Sequence, residues 1–389
     1  MNGESSSFMF KPGIVAAKPM LASLRALVDQ RFDNGDRIVV PVLGSGVNLQ
    51  AANEVGASAL HWERLLGAIE AREGVTWERS PPHSMTARWE AMLQRQSDQR
   101  ASEHEAVLIH TVIEALDDQT ESIWQAAGGK APPLYHDLLS KGFRDLVNLN
   151  FDDRLMRACD DARLFRAVAP KGMTFKKGTS FSVLPQLYQR YHRALPNFAR
   201  LWHPHGRIRS KTTMVLGVGG YGRLIPDLDT GWRRYKAIER EFCHSKWRKR
   251  ELFPEPRSRR DWSDEQAHGW MEHRRAIGPF LDSGALARRM AYRRPHQALS
   301  WLDVFLMSPL LFIGVGLGSD EFPLWWALHQ RARNMARQPV DARAPAVLLT
   351  VSDDPVHSAQ LDHLRGGPSG LCTVVFDSWD ELWGWVRSI

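Results

Sequence analysis

The stretch Arg37-Ile-Val-Val-Pro-Val-Leu-Gly-Ser-Gly-Val-Asn48 constrains the fold more than any other part of this chain. An unbroken apolar run, Ile38–Leu43, ends in a glycine turn, and residues able to open a helix follow it. Strands covered on both faces read as continuous apolar runs, whereas strands with one wet face alternate. The pattern predicts a central strand of a parallel sheet, with the chain leaving its carboxyl end through Gly44, Ser45 and Gly46. Such a turn aims backbone N–H groups and the positive end of a helix at one spot, which suits a pyrophosphate. The same glycines would serve any tight turn, so the motif alone leaves both readings open.

Further strands are expected at Phe143–Leu149, Leu164–Val168, Ser180–Leu184, Ala199–His203 and Thr213–Val218, and strong apolar runs return at Leu310–Val315, Ala346–Val351 and Thr373–Phe376. Helical periodicity separates many of them: Leu21–Val28, Glu103–Leu116 and a helix start at Pro132–Leu139. Ser378-Trp-Asp-Glu381 has the form of a capping box opening a Trp-rich terminal helix. Strands alternating with helices predict an α/β fold, a Rossmann-like parallel sheet with both faces covered. Residues 1–34 read as a lead-in with a short helix, and 35–389 as one domain. Within that domain, 60–130 forms a helical excursion after the first strand, and 230–300 a basic, largely helical insertion before the late glycine motif.

Composition sets the outer limits. At 389 residues, 43% hydrophobic and 24% charged, the chain has the makeup of an ordinary globular protein. No apolar stretch reaches the ~18–20 residues of a spanning helix, and no signal pattern opens the chain, so a cytoplasmic, non-membrane protein is expected. Cys159, Cys243 and Cys372 contain no Cys-x-x-Cys pair, so neither a disulfide framework nor a zinc ribbon is expected, and no metal. The net charge of +7 is concentrated. Trp232–His296 holds 17 Lys/Arg against 9 Asp/Glu, while the rest of the chain holds 34 against 35.

Ligands of open parallel sheets sit in the crevice at the carboxyl ends of strands. The predicted strand ends carry Gly44, Ser45, Gly46 and Asn48; Asn148, Asn150 and Asp152; His205 and Gly206; and the Gly314–Asp320 turn, with Gly316 inside it. An asparagine carboxamide can donate and accept hydrogen bonds without charge, and an imidazole can move a proton near neutral pH. Each residue has a plainer role available. Asn150 could cap a helix, Asp153 could complement a helix dipole, and His203 reads as a hydrogen-bonded structural residue.

Taken in chain order, these segments resemble the sirtuin-like NAD hydrolases, the type found as effectors in bacterial phage defence. Gly44-Ser-Gly-Val-Asn48 is similar to that family's Gly-Ala-Gly-x-Ser/Asn turn, with Ser45 in place of alanine. Ala59-Leu-His-Trp62 with Leu65-Leu66 resembles its Trp-x-x-Leu-Leu element. Asn148-Leu-Asn-Phe-Asp152 resembles Thr-Thr-Asn-Phe-Asp, which implies that Asn150 is the catalytic asparagine. His205-Gly206 matches the His-Gly pair, which implies that His205 is the catalytic histidine. Leu311-Phe-Ile-Gly-Val-Gly-Leu-Gly-Ser-Asp320 resembles Phe-Ile-Gly-Tyr-Ser-Leu-x-Asp at the adenosine end, with Val315-Gly316 replacing Tyr-Ser and one extra residue before Asp320.

The resemblance spans 35–389 apart from the basic region, and the missing zinc pairs favour the hydrolases over the deacylating sirtuins. It implies catalytic Asn150 and His205, and NAD bound through Gly44, Ser45, Gly46, Asn48, Asp152, Gly206, Gly314, Gly316 and Asp320. Asp152 would lie at the nicotinamide end. Hydrolysis would release nicotinamide and ADP-ribose through an oxocarbenium-like state, as in glycoside cleavage. It further implies a homo-oligomer restrained by a regulatory defence partner. An NAD-dependent deacylase, a non-catalytic NAD or ADP-ribose sensor and a nucleic-acid-binding accessory protein are the competing readings.

Lys246-Trp-Arg-Lys-Arg250 and Arg257-Ser-Arg-Arg260 lie among Trp232, Trp247, Trp262 and Trp270. Interleaved cations and aromatics suit single-stranded nucleic acid, and equally a solvated insertion whose Arg stems cover inward-packed Trp rings.

Overall fold

The computed structural model describes residues 13–32, 35–59, 62–77, 84–94, 101–161, 165–168, 188–193, 198–208, 214–244, 286, 300–318, 320–337, 343–352 and 369–389. The expected central strand is β2, Val40–Leu43, and all of its residues are buried. Among the described residues eight strands accompany it: β1 (Gly13–Ala16), β3 (Asp145–Asn148), β4 (Phe165–Val168), β5 (Tyr188–Arg193), β6 (Phe198–Trp202), β7 (Leu310–Ile313), β8 (Ala346–Val351) and β9 (Leu371–Phe376). Their order is β1-β9-β8-β7-β2-β3-β6-β5-β4. The seven strands from β1 to β6 in that order run parallel, and β5 then pairs antiparallel with both β6 and β4.

Pro41 sits inside this central strand although it has no N–H to give. The β2–β3 ladder begins one residue later, at Val42–Val147, and Leu43 O accepts from Leu149 N on that side. The missing donor therefore falls where β3 has not yet begun to pair.

Helices cover both faces. Those preceding β3 are α1 (Ala17–Val28), α2 (Ser45–Glu54), α3 (Trp62–Arg72), α4 (Met85–Gln94), α5 (Ala101–Ala126) and α6 (Pro133–Ser140). Those following it are α7 (Arg154–Asp161), α8 (Gly217–His244), α9 (Trp301–Met307), α10 (Phe322–Ala336) and α11 (Trp379–Ser388). Alternate strand residues feed opposite cores, as a period of two requires. Leu43, Leu311, Ile313, Val347 and Leu349 pack with α1, α2, α6 and α11. Val40, Val42, Leu310, Phe312 and Leu348 pack with α8, α9 and α10. The excursion α3–α5 builds a core of its own from residues such as Leu65, Trp89 and Val112, and Ile208, Met214 and Leu216 join it beyond β6.

Several expectations change. The strand expected at Thr213–Val218 does not form over its described residues: Met214–Leu216 is irregular and α8 starts at Gly217. Gly217 adopts φ 63°, and the Glu90 carboxylate accepts from Val218 N at 2.8 Å, so a side-chain cap starts a helix where an apolar run suggested extension. The lead-in contributes β1, paired with β9, so the sheet reaches into residues 1–34. The β5 strand was not anticipated, and the expected strand at Ser180–Leu184 lies outside the described residues. So do Lys246–Arg260, although Trp232 of α8 stacks on Tyr235 at 5.5 Å. The terminal cap forms largely as expected: Ser378 Oγ accepts from Glu381 N at 3.2 Å, while Glu381 reaches back to Asp377 N at 3.0 Å. Among the described residues, no helix is long and apolar enough to cross a membrane.

Candidate functional site

The β2→β3 and β7→β8 connections leave in opposite directions from two adjacent strands, so β2 and β7 flank the switch point of the sheet. Both strands end in glycine turns, and the turns touch. Gly44 N donates to Ile313 O at 3.1 Å and Gly46 N to Gly314 O at 2.9 Å. A Cβ on Gly44 would lie 2.3 Å from Gly314 O, and one on Gly46 2.7 Å from Gly314 Cα. The glycines are thus required first by backbone packing. Two of the amides expected to face a phosphate are spent inside this contact, while Ser45 stands exposed at the first turn of α2. Gly316 is also exposed, in the turn where Leu317 takes φ 46°.

At the end of β3, Asn150 does not cap a helix. Its Nδ2 donates to Gly44 O at 3.0 Å and to Asn148 Oδ1 at 3.1 Å, which ties the β3 end to the glycine turn. Capping falls to Asp152, whose Oδ1 accepts from Arg154 N at 3.1 Å. Its other oxygen accepts from Asn48 Nδ2 at 2.6 Å, and Asn48 Oδ1 accepts from the Tyr135 hydroxyl at 2.8 Å. The Arg154 guanidinium stands 3.9 Å from Asp152, and all four side chains are buried. Asn48 and Asp152 therefore meet each other as a buried brace beneath the crevice. Asp153 pairs with Arg207 at 2.7 Å.

At the end of β6 the chain reverses through Gly206, whose φ of 83° suits glycine. The reversal places His205 against both neighbours of Asn150. Its Nδ1 lies 3.1 Å from Leu149 O, and its ring lies 5.9 Å from that of Phe151. Phe151 in turn meets Trp62 of α3 at 5.4 Å, and Tyr221 of α8 meets the imidazole edge at 5.9 Å. His205 Nε2 stands 3.3 Å from Glu321 Oε2, an ion-pair separation without the angles of a hydrogen bond. Burial is the largest single influence and disfavours a charged imidazole, but the Glu321 carboxylate and Leu149 O together outweigh it and raise the His205 pKa. Burial, then Glu321 and Asp320, keep the Tyr221 phenol protonated.

His203 behaves in the opposite way. Buried in the core, it finds no hydrogen-bond partner for either ring nitrogen among the described residues. Burial and the nearby Arg207 push its pKa down to about 3. The Asn150 backbone interacts with the ring outside strict hydrogen-bond geometry, and burial outweighs it.

Asp320, expected at the adenosine end, accepts from Thr86 N at 3.2 Å and so holds the first turn of α4. The structure gathers Gly44, Gly46, Gly314, Asn150, Gly206 and His205 at the ends of four adjacent strands, β7-β2-β3-β6. Glu321 and Tyr221 were missed by sequence reasoning. The signal for Glu321 was weak but present, a second carboxylate between the glycine turn and a helix with Pro323 in its first turn. Tyr221 lies in a glycine-rich segment and gave none. Among the described residues, the buried Asn148 Nδ2 has no hydrogen-bond partner here, and the buried His205 Nε2 and Glu321 Oε2 have only their ion-pair contact with each other. No protein-family model matches the sequence, and no curated protein matches it.

Proposed function

We propose that the protein hydrolyses NAD to nicotinamide and ADP-ribose. One observation carries the reading: contacts that run through Leu149, the chain neighbour of Asn150, link Gly44 and Asn150 to His205 and Glu321 across the ends of β2, β3, β6 and β7. They bring an uncharged amide, a proton-handling pair and the first turn of α2 to the switch point of a parallel sheet. The nicotinamide leaves as a neutral molecule from a cationic ring, so the site needs no acid for the leaving group. It needs an oriented ribose, a placed water and a proton acceptor. Asn150 supplies the first and the His205–Glu321 pair the last, while α2 directs its positive end towards the diphosphate.

Asn148 Nδ2, which has no hydrogen-bond partner among the described residues, and the His205–Glu321 pair suit a polar ligand better than an apolar one. An enzyme that consumes NAD has to be restrained in its own cell. A homo-oligomer under a regulatory protein of a phage-defence system, depleting cytoplasmic NAD when released, fits that need. The basic segment 246–260 is a candidate contact for nucleic acid in such regulation.

The direct test is incubation of the purified protein with NAD, with and without nucleic acid, followed by chromatography for nicotinamide and ADP-ribose. The expected result is equimolar release by the wild type and its loss in Asn150→Ala and His205→Ala. Turnover unchanged in both variants would remove the assignment.

A further inference from the structure

The hydrolase reading leaves open which atom takes the proton from water, and the geometry around His205 bears on it. Leu149 O can only accept, so the Nδ1 facing it at 3.1 Å carries a hydrogen. In a neutral ring, Nε2 would then carry a bare lone pair 3.3 Å from Glu321 Oε2, close enough for an ion pair though off the line of a hydrogen bond. Two acceptors facing each other inside the protein repel, and a proton on Nε2 converts that repulsion into an ion pair. The surroundings therefore select the imidazolium, which has no lone pair left to receive a proton.

We propose that Glu321 is the catalytic proton acceptor of this site and that His205 is the positioning residue behind it. Exposure agrees with the assignment. The side chain of His205 is 3% accessible and that of Glu321 27%, its Oε2 being buried against His205 and the rest of the side chain carrying the exposure. Glu321 is also the N-cap residue of α10, where the helix favours a carboxylate's charge, and it makes no side-chain capping bond there. The groups facing the pair come from several elements. Tyr221 projects from α8, and Asp320 lies beside Glu321 with its Oδ2 on Thr86 N. Uncharged His203 and the Arg207–Asp153 pair complete the β6 side.

In the hydrolysis, the bond between ribose C1′ and the pyridinium nitrogen breaks, and its electron pair stays on nitrogen as neutral nicotinamide. The water oxygen bonds to C1′. The water proton passes to a Glu321 oxygen and from there to solvent, leaving ADP-ribose.

The test combines two readouts on the full-length protein. In the first, the labelled His205 imidazole is titrated by NMR in wild type and Glu321→Gln, with His205→Gln identifying its signal. The imidazolium is expected in the wild type at neutral pH, and its pKa is expected to fall by about one unit or more in Glu321→Gln. A neutral His205 in the wild type overturns the proposal.

In the second, kcat and KM for NAD are followed against pH. Glu321→Gln is expected to lose roughly 10²–10⁴-fold in kcat with little change in KM, Glu321→Asp to lose less, and formate to restore Glu321→Gly where imidazole does not. Wild-type activity is expected to persist below pH ~6, where an ordinary imidazole is protonated. A Glu321→Gln enzyme of unchanged kcat, or an activity that rises only as His205 loses its proton, also overturns the proposal. A wild type inert towards NAD removes the hydrolase reading and the acceptor role with it, and the NMR titration still decides the charge of the pair.

Discussion

Gly46 N donates to Gly314 O at 2.9 Å, so the glycine turns ending β2 and β7 are closed upon one another. Sequence patterns of this kind are commonly taken to leave room for a ligand. Here part of the room is filled by the opposing backbone, and ligand contact is left to the outer parts of the turns.

That closure separates the glycines into two classes. Gly314 has φ 62°, and a Cβ there would lie 2.7 Å from Val47 N. Gly314→Ala therefore combines left-handed strain with a backbone clash and is expected to cost about 2–4 kcal/mol. Gly44→Ala is expected to cost about 1–3 kcal/mol by the clash alone. Gly316 has nothing within 4 Å of an added Cβ, so Gly316→Ala should stay within about 0.5 kcal/mol of wild type. Thermal and urea unfolding of the three variants measures the contrast, and equal losses at Gly316 and Gly314 would contradict it.

Two histidines at one strand end give stability opposite dependences on pH. His203 has a folded pKa of about 3, against ~6.5 when unfolded. Between those values the unfolded chain binds a proton that the native protein does not. The contribution is therefore complete above pH ~6.5 and is lost towards pH 3 at roughly 1.4 kcal/mol per unit. His205 has a raised folded pKa, so its contribution is complete below pH ~6.5 and is lost as pH rises through the folded value. In urea unfolding across pH, His203→Leu should flatten the acid limb, and Glu321→Gln the limb above neutrality. Unaltered limbs in these variants would show that other groups govern the profile.

Much of the sheet was legible because unbroken apolar runs mark strands buried on both faces: β2, β7 and β8 lie within such runs, and β3 lies within the strand expected at Phe143–Leu149. β1 and β5 were not, since Gly13–Ala16 and Tyr188–Arg193 are short or polar and gain strand form only from their partners β9 and β6. Thr213–Val218 misled for a related reason, because the Glu90 carboxylate that caps α8 is distant in sequence. At the site, strand ends located Asn150 and His205 at adjacent strands. What Asn48, Asp152 and Asp320 bond to was not legible, because Tyr135, Arg154 and Thr86 carry no local signal linking them to those residues. Glu321 was hidden similarly: its meaning depends on facing His205 across the crevice.

The Asn48–Asp152 contact predicts a structural phenotype where sequence reasoning expected a ligand contact. Asp152→Ala would leave Asn48 Nδ2 and part of the Arg154 environment uncompensated in a buried setting. Arg154 keeps its bonds to Thr120 Oγ1 at 3.0 Å and Gln119 Oε1 at 3.2 Å, which softens the loss. The expected cost is about 3–5 kcal/mol, and less for Asp152→Asn, which retains an acceptor. A stable Asp152→Ala protein with only a weakened affinity for NAD would return the residue to the ligand.

Asp320 tests whether the glycine turn steers the helical excursion. Its carboxylate accepts Thr86 N, and Ser84 Oγ accepts Ala87 N at 3.1 Å, so two side chains share the first amides of α4. Because α4 also supplies Glu90 to the start of α8, the loss of one anchor is expected to loosen a connected patch. Asp320→Ala should cost about 0.5–2 kcal/mol, the value of a helix cap. Hydrogen exchange should quicken first at the start of α4 and then at Val218, while the amides of β2 and β7 keep their protection. Faster exchange in β2 and β7 with α4 unaffected would mean that Asp320 supports the sheet and not the excursion.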